Sequence, residues 1–228
     1  RILAQDNEVW GAARFSAEGS RERAESIGVT PVTVDLETGD YDGLPDDFTH
    51  VAHFAAWMGP RPDHDRALRA NAEATGLLMQ HCRSAEAFLI ASTNSVYRPN
   101  ADPCHRYAEG DPLGDPTSPF SPTYSMSKNA QEAVARTMAR ALGLRTTIAR
   151  INASYGPNGG LPAYHGDWVA AGQPVHLRAP GPNAYSPIHE DDLGAQVAPL
   201  LDAAATPATI VNWCGDEAVT AEEWCTLF

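Results

Sequence analysis

The sequence of 228 residues predicts an α/β fold in which an open, doubly wound parallel sheet is covered by helices. Short apolar runs alternate with segments of helical periodicity, which is typical of parallel sheets built from strand–helix–strand units. Several runs are apolar throughout, as expected of strands buried on both faces. The predicted strands cover residues 8–12, 30–34, 50–55, 87–91, 145–151 and 209–213.

Helices are predicted where apolar residues recur every three or four positions. This spacing marks residues 66–84 and 124–142, and a third helix is predicted over residues 192–205. Asp191 precedes the third helix, where a carboxylate can accept hydrogen bonds from free backbone N–H groups. A short helix is expected near residues 167–171, between two Pro- and Gly-rich stretches of loop.

Charge and composition exclude several classes of partner. The net charge of −13, without a basic run, argues against nucleic acid or an anionic membrane. No apolar stretch reaches the roughly 18 residues of a membrane span. The four cysteines have no CxxC spacing, which indicates reduced thiols and a cytoplasmic location. No metal motif such as HExxH is present, so no metal site is expected.

Tyr124 and Lys128 form the strongest chemical pattern in the chain. Residues four apart on a helix share a face, so the phenol and the ammonium would point into one site. A free phenol titrates near pH 10, and a nearby cation lowers that pKa. A tyrosine so placed can exchange a proton with an alcohol or carbonyl oxygen. The spacing alone also fits a solvent-facing lysine beside a half-buried tyrosine, and the surrounding motifs favour the chemical interpretation.

Those motifs occur in a fixed order along nearly the whole chain, from about Glu8 to Trp224. They are His53-Phe54-Ala55-Ala56, Asn71 with Thr75, Ser92 through Tyr97, Tyr124 through Lys128 to Glu132, Arg150 through Pro157, and Ile188 through Asp192. Together they resemble the extended short-chain dehydrogenases/reductases, the group of NAD-dependent epimerases and dehydratases. The resemblance implies a Rossmann fold with a small C-terminal substrate lobe.

The resemblance also implies catalytic roles for three residues. Tyr124 is the expected acid/base, Lys128 tunes it and holds the nicotinamide ribose, and Thr93 hydrogen-bonds the substrate oxygen. Ser92 is the alternative to Thr93. Asn71 is expected to support the strand ends, a structural task.

Further positions follow from the same resemblance. The expected cofactor-binding residues are Arg14, Asp35, Leu36, Ala55, Ala56 and Ile151, with Tyr124 and Lys128. The expected substrate residues are Trp57, Asn94, Ala153 and Tyr185. The family's Gly-rich phosphate loop is expected before residue 1. A homodimer through the helix that bears Tyr124 and the helix before it is also implied.

The end of the first predicted strand bears on the choice of cofactor. NAD-binding relatives usually place an acid there to hold the ribose 2′-hydroxyl. Here the position is Ala13, followed by Arg14, whose guanidinium suits a 2′-phosphate. The sequence therefore favours NADP, with NAD as the alternative if Arg14 is an ordinary surface charge.

We expect residues 1–152 to form the dinucleotide-binding domain and residues 153–187 to form a substrate-lobe segment. Residues 188–215 would return to the sheet, and 216–228 would begin a truncated C-terminal lobe. The expected activity is reversible hydride transfer to a carbonyl or secondary alcohol of a small molecule. A nucleotide-sugar epimerase or dehydratase is the first alternative, although Ala153 and the Arg-free stretch 183–187 depart from such enzymes. A non-catalytic dinucleotide sensor is the second.

Overall fold

The computed structural model describes residues 1–117 and 121–228 of the chain. Residues 118–120, in the segment before the helix predicted at 124–142, lie outside the described residues. The principal strands are β1 (Val9–Ala13), β2 (Val29–Thr33), β3 (His50–His53), β4 (Ala87–Thr93), β5 (Thr146–Ile151), β6 (Ala153–Gly156), β7 (Gly159–Gly160), β8 (Ala184–Tyr185), β9 (Pro187–His189), β10 (Thr209–Trp213) and β11 (Val219–Thr220). The helices are α1 (Ser20–Ser26), α2 (His64–Ala67), α3 (Ala74–His81), α4 (Tyr124–Leu142), α5 (Leu161–Ala170), α6 (Glu190–Asp202) and α7 (Ala221–Leu227).

The prediction of a doubly wound parallel sheet is confirmed. Four parallel strands lie in the order β10-β5-β4-β3, and β1 pairs in parallel with β2 as a separate ladder. Within the described residues, β3 pairs only with β4, so the six predicted strands form two ladders.

Strand β4 is buried on both faces, and its alternating side chains supply two cores. Phe88 and Ile90 pack into the cluster beneath α3 and α4. Leu89 points the other way, into the cluster that includes Val197 and Leu201 of α6. This alternation is the period-two geometry of a strand. It explains why β4 is apolar without interruption from Ala87 to Ala91.

The helix predicted over residues 66–84 is interrupted. A π-helical segment, Leu68–Glu73, separates α2 from α3. The apolar stripe continues through this segment, whereas the α-helical pattern of backbone hydrogen bonds does not. Gly76 in α3 lies against Val134 of α4, where an added Cβ would lie 2.9 Å from the valine side chain. The small residue therefore lets α3 and α4 approach closely.

Other bounds differ from prediction for local reasons. The short helix expected at 167–171 is longer, because Pro162 stands at the start of α5 and suits a first turn. The helix α1 was not predicted, since its seven residues are almost all polar and carry no apolar stripe. By contrast, α4 has the predicted bounds and ends at Gly143, whose φ of 68° forms a left-handed cap.

The remaining strands and helices form a smaller layer beside the main sheet. Strands β7, β6 and β9 form one sheet, and β11 pairs with β8. Helix α7 begins with a capping box between Thr220 and Glu223. It packs on α5, where the Trp224 indole N–H donates to His165 Nδ1 at 3.0 Å. Across the described part of the chain, no helix is both long enough and apolar enough to cross a membrane.

Candidate active site

The candidate site lies at the carboxyl end of β4, an interior strand of the four-stranded sheet. Thr93 is the last residue of this strand and pairs in register with Ile151 of β5. Its Oγ1 accepts a hydrogen bond from the Ser95 N–H at 3.2 Å, which starts a short 3-10 helix over Asn94–Val96. The hydroxyl is therefore held in place at the strand end, where doubly wound folds bind ligands.

Tyr124 is the first residue of α4, and its phenol meets the Thr93 side chain. Burial raises the pKa of Tyr124, while a hydrogen bond with Thr93 lowers it, and the balance is a raised value. The sequence led us to expect a lowered phenol pKa beside Lys128, and this expectation was wrong for the protein alone. The Lys128 ammonium lies over the ring, 5.9 Å from its centroid, and is not among the groups that lower the pKa.

Lys128 is 1% exposed and lies one helical turn beyond Tyr124. Its Nζ donates to the carbonyl oxygen of Ala91 on β4 at 2.6 Å. Burial lowers the pKa of Lys128 to about 8, and the nearby Glu132 carboxylate acts in the opposite direction. The lysine is thus a buried cation with a readily lost proton, fixed to the strand that carries Thr93.

A second buried polar group lies behind the lysine. His53 at the end of β3 shares a 3.0 Å hydrogen bond with the Thr75 hydroxyl, which also accepts from the Gln131 amide at 2.8 Å. Burial, together with the charge of Lys128, lowers the pKa of His53 to about 3. The imidazole is therefore neutral across the physiological pH range.

Asn71, in the π-helical segment, bonds the loop that follows β3. Its Oδ1 accepts from the Trp57 N–H at 2.6 Å, and its Nδ2 donates to the Trp57 carbonyl oxygen at 3.0 Å. The same Nδ2 lies 2.9 Å from the Ser127 hydroxyl of α4. One side chain therefore joins the loop after β3 to helix α4.

The expected cofactor residues lie at the carboxyl ends of four strands. Ala55 and Ala56 are exposed directly after β3, and Arg14 is exposed directly after β1. Asp35 follows β2, and its Oδ1 accepts from the Glu37 N–H at 3.0 Å, while Leu36 packs on the main core. Ile151 ends β5 beside Thr93, whereas Arg14 belongs to the separate β1–β2 ladder.

The expected substrate residues lie in different elements, with Ala153 on β6 and Tyr185 on β8. Trp57 lies under the Arg66 guanidinium, 5.3 Å from its carbon, and Ala153 is buried on β6. Tyr185 packs against Trp224 in a tilted arrangement, with 5.3 Å between the ring centroids. A mainly apolar cavity of about 450 Å³ lies next to this pair, lined by Tyr155, Gly156, Pro162, Ala163, Pro187, Glu217, Val219, Trp224 and Phe228.

Sequence reasoning gave no role to a buried ion pair beneath the site. Arg150 of β5 and Glu132 of α4 are joined by two hydrogen bonds, and both side chains are almost fully buried. A signal was present in the sequence, because Arg150 interrupts an otherwise uncharged buried strand. Buried charges are rare unless they are paired, so an arginine there predicts a partner.

Comparison with known proteins agrees with this architecture. The model of the NAD dependent epimerase/dehydratase family matches residues 1–201. The structure of MoeE5 in complex with UDP-glucose and NAD is 25% identical, with a TM-score of 0.77 over 99% of this chain and 74% of that one. No protein of curated function matches the sequence.

Two more distant structures share the fold. The dTDP-glucose 4,6-dehydratase DesIV from Streptomyces venezuelae, with NAD bound, is 24% identical and has a TM-score of 0.76, covering 96% of this chain and 70% of that one. The UDP-glucuronic acid 4-epimerase from Bacillus cereus in complex with NAD is 19% identical and has a TM-score of 0.79, covering 97% and 74%. With the family match over residues 1–201, the chain belongs to the NAD-dependent epimerase/dehydratase family.

Proposed function

We propose that the chain is an NAD(P)-dependent oxidoreductase that transfers hydride reversibly between nicotinamide and a carbonyl or secondary alcohol of a small organic molecule. The observation that carries the proposal is the meeting of Thr93, Tyr124 and Lys128 at the carboxyl end of β4. A hydroxyl, a phenol and a buried ammonium suit proton transfer to an oxygen atom. A protein that only senses a dinucleotide has no need of these groups.

Each side chain has a distinct task in this proposal. The Thr93 hydroxyl and the Tyr124 phenol both hydrogen-bond the substrate oxygen, and Tyr124 gives or takes the proton. The Lys128 ammonium would hold the nicotinamide ribose, since it is not among the groups that lower the pKa of Tyr124. The charged phenol is favoured by the hydrogen bond with Thr93 and by the position of Tyr124 at the start of α4, the positive end of the helix dipole. When bound, the nicotinamide supplies or accepts the hydride.

The residues present fit a dinucleotide at this edge. Ala55 and Ala56 project only methyl groups where β3 ends, which leaves space for close approach of a ligand. We propose NADP as the preferred cofactor, because the position after β1 offers exposed Arg14 and no carboxylate. NAD is the alternative, and it is the cofactor bound in the similar MoeE5 structure.

A second candidate function is a nucleotide-sugar epimerase or dehydratase that oxidises its substrate transiently. The structural similarity to MoeE5 in complex with UDP-glucose and NAD favours it. Both candidates use the same proton transfer at Tyr124 and differ in what the substrate lobe binds. We propose that residues 153–187 and 216–228 form this lobe beside the dinucleotide-binding domain, with 188–215 returning to the sheet.

The test is turnover with a defined panel of compounds. The panel contains cyclohexanone, acetophenone, phenanthrenequinone, UDP-glucose and UDP-glucuronic acid, each with NAD(H) and NADP(H). Net change in nicotinamide absorbance with a simple ketone supports the oxidoreductase. Conversion of a nucleotide sugar without net redox change supports the second candidate. Cofactor binding without turnover of any compound contradicts both.

We also propose an oligomeric state and a cellular compartment for the protein. A homodimer would pair α3 and α4 with the same helices of a second copy, and Leu77 on α3 is 48% exposed there. The cytoplasm remains the proposed compartment, in agreement with four free cysteines.

A further inference from the structure

Glu132 and Arg150 form an ion pair that the proposed proton transfer does not itself use. The Arg150 Nε donates to Glu132 Oε1 at 2.9 Å and one terminal nitrogen donates to Oε2 at 2.7 Å. The two side chains are 4% and 2% exposed. A paired fork of this kind sets both the distance and the orientation of its partners.

The carboxylate joins the catalytic helix to the catalytic strand. Ser92, the residue before Thr93, donates its hydroxyl to Glu132 Oε1 at 2.6 Å. One turn earlier on the same helix, Lys128 donates to the Ala91 carbonyl oxygen at 2.6 Å. Helix α4 is therefore fastened to β4 at two successive levels, directly below the point where Thr93 and Tyr124 meet.

The guanidinium extends the same network to the loop between β4 and α4, here called the β4–α4 loop (residues 98–117). Another terminal nitrogen of Arg150 donates to the Tyr97 hydroxyl at 2.9 Å and to the Glu109 carbonyl oxygen at 3.1 Å. Tyr97 in turn donates to Asn212 of β10 at 2.6 Å. The Asn212 amide donates to the Tyr107 carbonyl oxygen at 2.7 Å.

Fold stability alone does not require such a pair. Well-packed apolar residues of similar volume often replace a buried ion pair without loss of stability, whereas they cannot reproduce its directional hydrogen bonds. The network connects Ser92, Tyr97 and the β4–α4 loop to one point below the site. The network therefore fixes the position of α4 relative to β4.

We propose that Glu132 and Arg150 are positioning residues. They hold the Thr93 hydroxyl and the Tyr124 phenol at the distance and orientation that the reaction needs. This inference rests on the proposed hydride transfer. Neither residue touches the reacting atoms. Both act through other groups, namely Ser92, Tyr97 and the rest of helix α4. Small displacements of reacting groups can reduce a rate about a hundredfold, so loss of the fork should slow chemistry more than binding.

The test compares the double variant Glu132→Met/Arg150→Met with the wild type. The readout is the single-turnover rate constant for hydride transfer in cofactor-saturated protein, measured with whichever panel compound the wild type converts fastest. A first-order rate constant is independent of the fraction of folded protein, so a purely structural role would leave it unchanged. We expect a fall of about a hundredfold with unchanged affinity for NAD(P)H.

Two further variants complete the design. Tyr97→Phe removes only the hydroxyl that links Arg150 to Asn212, and it should lower the same rate constant to a smaller extent. If the double variant does not fold, the rate constant of Tyr97→Phe tests the positioning role in its place. Arg145→Met is the matched control, since Arg145 bonds to the Ala204 and Asp202 carbonyl oxygens beyond the opposite end of β5. Its rate constant should equal that of the wild type.

The outcomes separate this inference from the proposed function. A folded double variant with the wild-type rate constant overturns the positioning role and leaves the proposed function intact. An equal fall in Arg145→Met also overturns it, because the effect would then be general. A wild type that transfers no hydride to any panel compound overturns both.

Discussion

At the scale of single residues, Tyr124 and Thr93 form a hydrogen-bonded pair at the end of β4. Their side chains meet although 30 positions in the sequence separate them, and burial of the phenol opposes its ionisation. A phenol with a raised pKa is a poor base until further groups favour its charge. The proposed chemistry therefore depends on the hydrogen bond with Thr93 and on the start of α4, because both favour the charged phenol.

Substitution Tyr124→Phe should reduce turnover by about 10²–10⁴-fold, because it removes the proton donor and leaves the ring in place. Cofactor affinity, measured by fluorescence of bound NADPH, should be nearly unchanged. Activity within the experimental error of the wild type would remove Tyr124 from the mechanism.

Arg14 determines the cofactor prediction at the end of β1. Arg14→Ala should weaken NADPH binding roughly 10–100-fold, the equivalent of the ~1.5–3 kcal/mol of a charged hydrogen bond, and should leave NADH binding nearly unchanged. Calorimetric titration with both nucleotides measures this ratio. The exposed Arg23 of α1 provides the control, since Arg23→Ala should change neither affinity. Equal losses for both nucleotides in Arg14→Ala would rule out recognition of the 2′-phosphate.

At the scale of elements, the π-helical segment places Asn71 between two parts of the site. Its amide bonds both backbone groups of Trp57 and reaches Ser127 on α4. These three contacts link the loop after β3 to the helix that carries Tyr124. The interruption in the helix therefore coincides with a position that supports the site.

Asn71→Ala should lower the free energy of unfolding by roughly 1–3 kcal/mol, because buried backbone groups of Trp57 lose their partner. Urea denaturation measures the loss. Glu73→Ala, at an exposed position of the same segment, should have little effect. A loss in Glu73→Ala as large as that in Asn71→Ala would attribute the effect to the segment rather than to the amide.

At the scale of the whole molecule, the buried neutral His53 makes stability depend on pH. Its pKa is about 3 in the folded protein and near 6.5 in an unfolded chain. Between those values the unfolded chain binds a proton that the folded chain does not. The contribution of His53 is therefore complete above about pH 6.5 and decreases as the pH falls towards 3.

The expected slope from this group is about 1.4 kcal/mol per pH unit within that window. Urea denaturation at a series of pH values measures it. His53→Gln removes the titrating group and should flatten this part of the profile relative to the wild type. An unchanged slope in the variant would assign the acid sensitivity to other groups.

The sequence alone determined the features that repeat along the chain. Apolar runs located the six long strands, and four-residue spacing located α4 with its correct bounds and placed Tyr124 and Lys128 on one face. Each of these features depends on a periodic pattern among neighbouring residues, and such a pattern can be read from the sequence. The polar helix α1 and the short strands of the smaller layer carry no such periodicity, and they were not predicted.

Only the tertiary structure decided which distant groups meet. Lys128 bonds a carbonyl oxygen 37 residues away, and Glu132 accepts hydrogen bonds from both Ser92 and Arg150. It also decided that burial raises the pKa of Tyr124, against the prediction. These contacts and pKa shifts arise when α4 docks on β4 and β5, because desolvation and hydrogen-bond geometry depend on the distance in space between groups far apart in the chain.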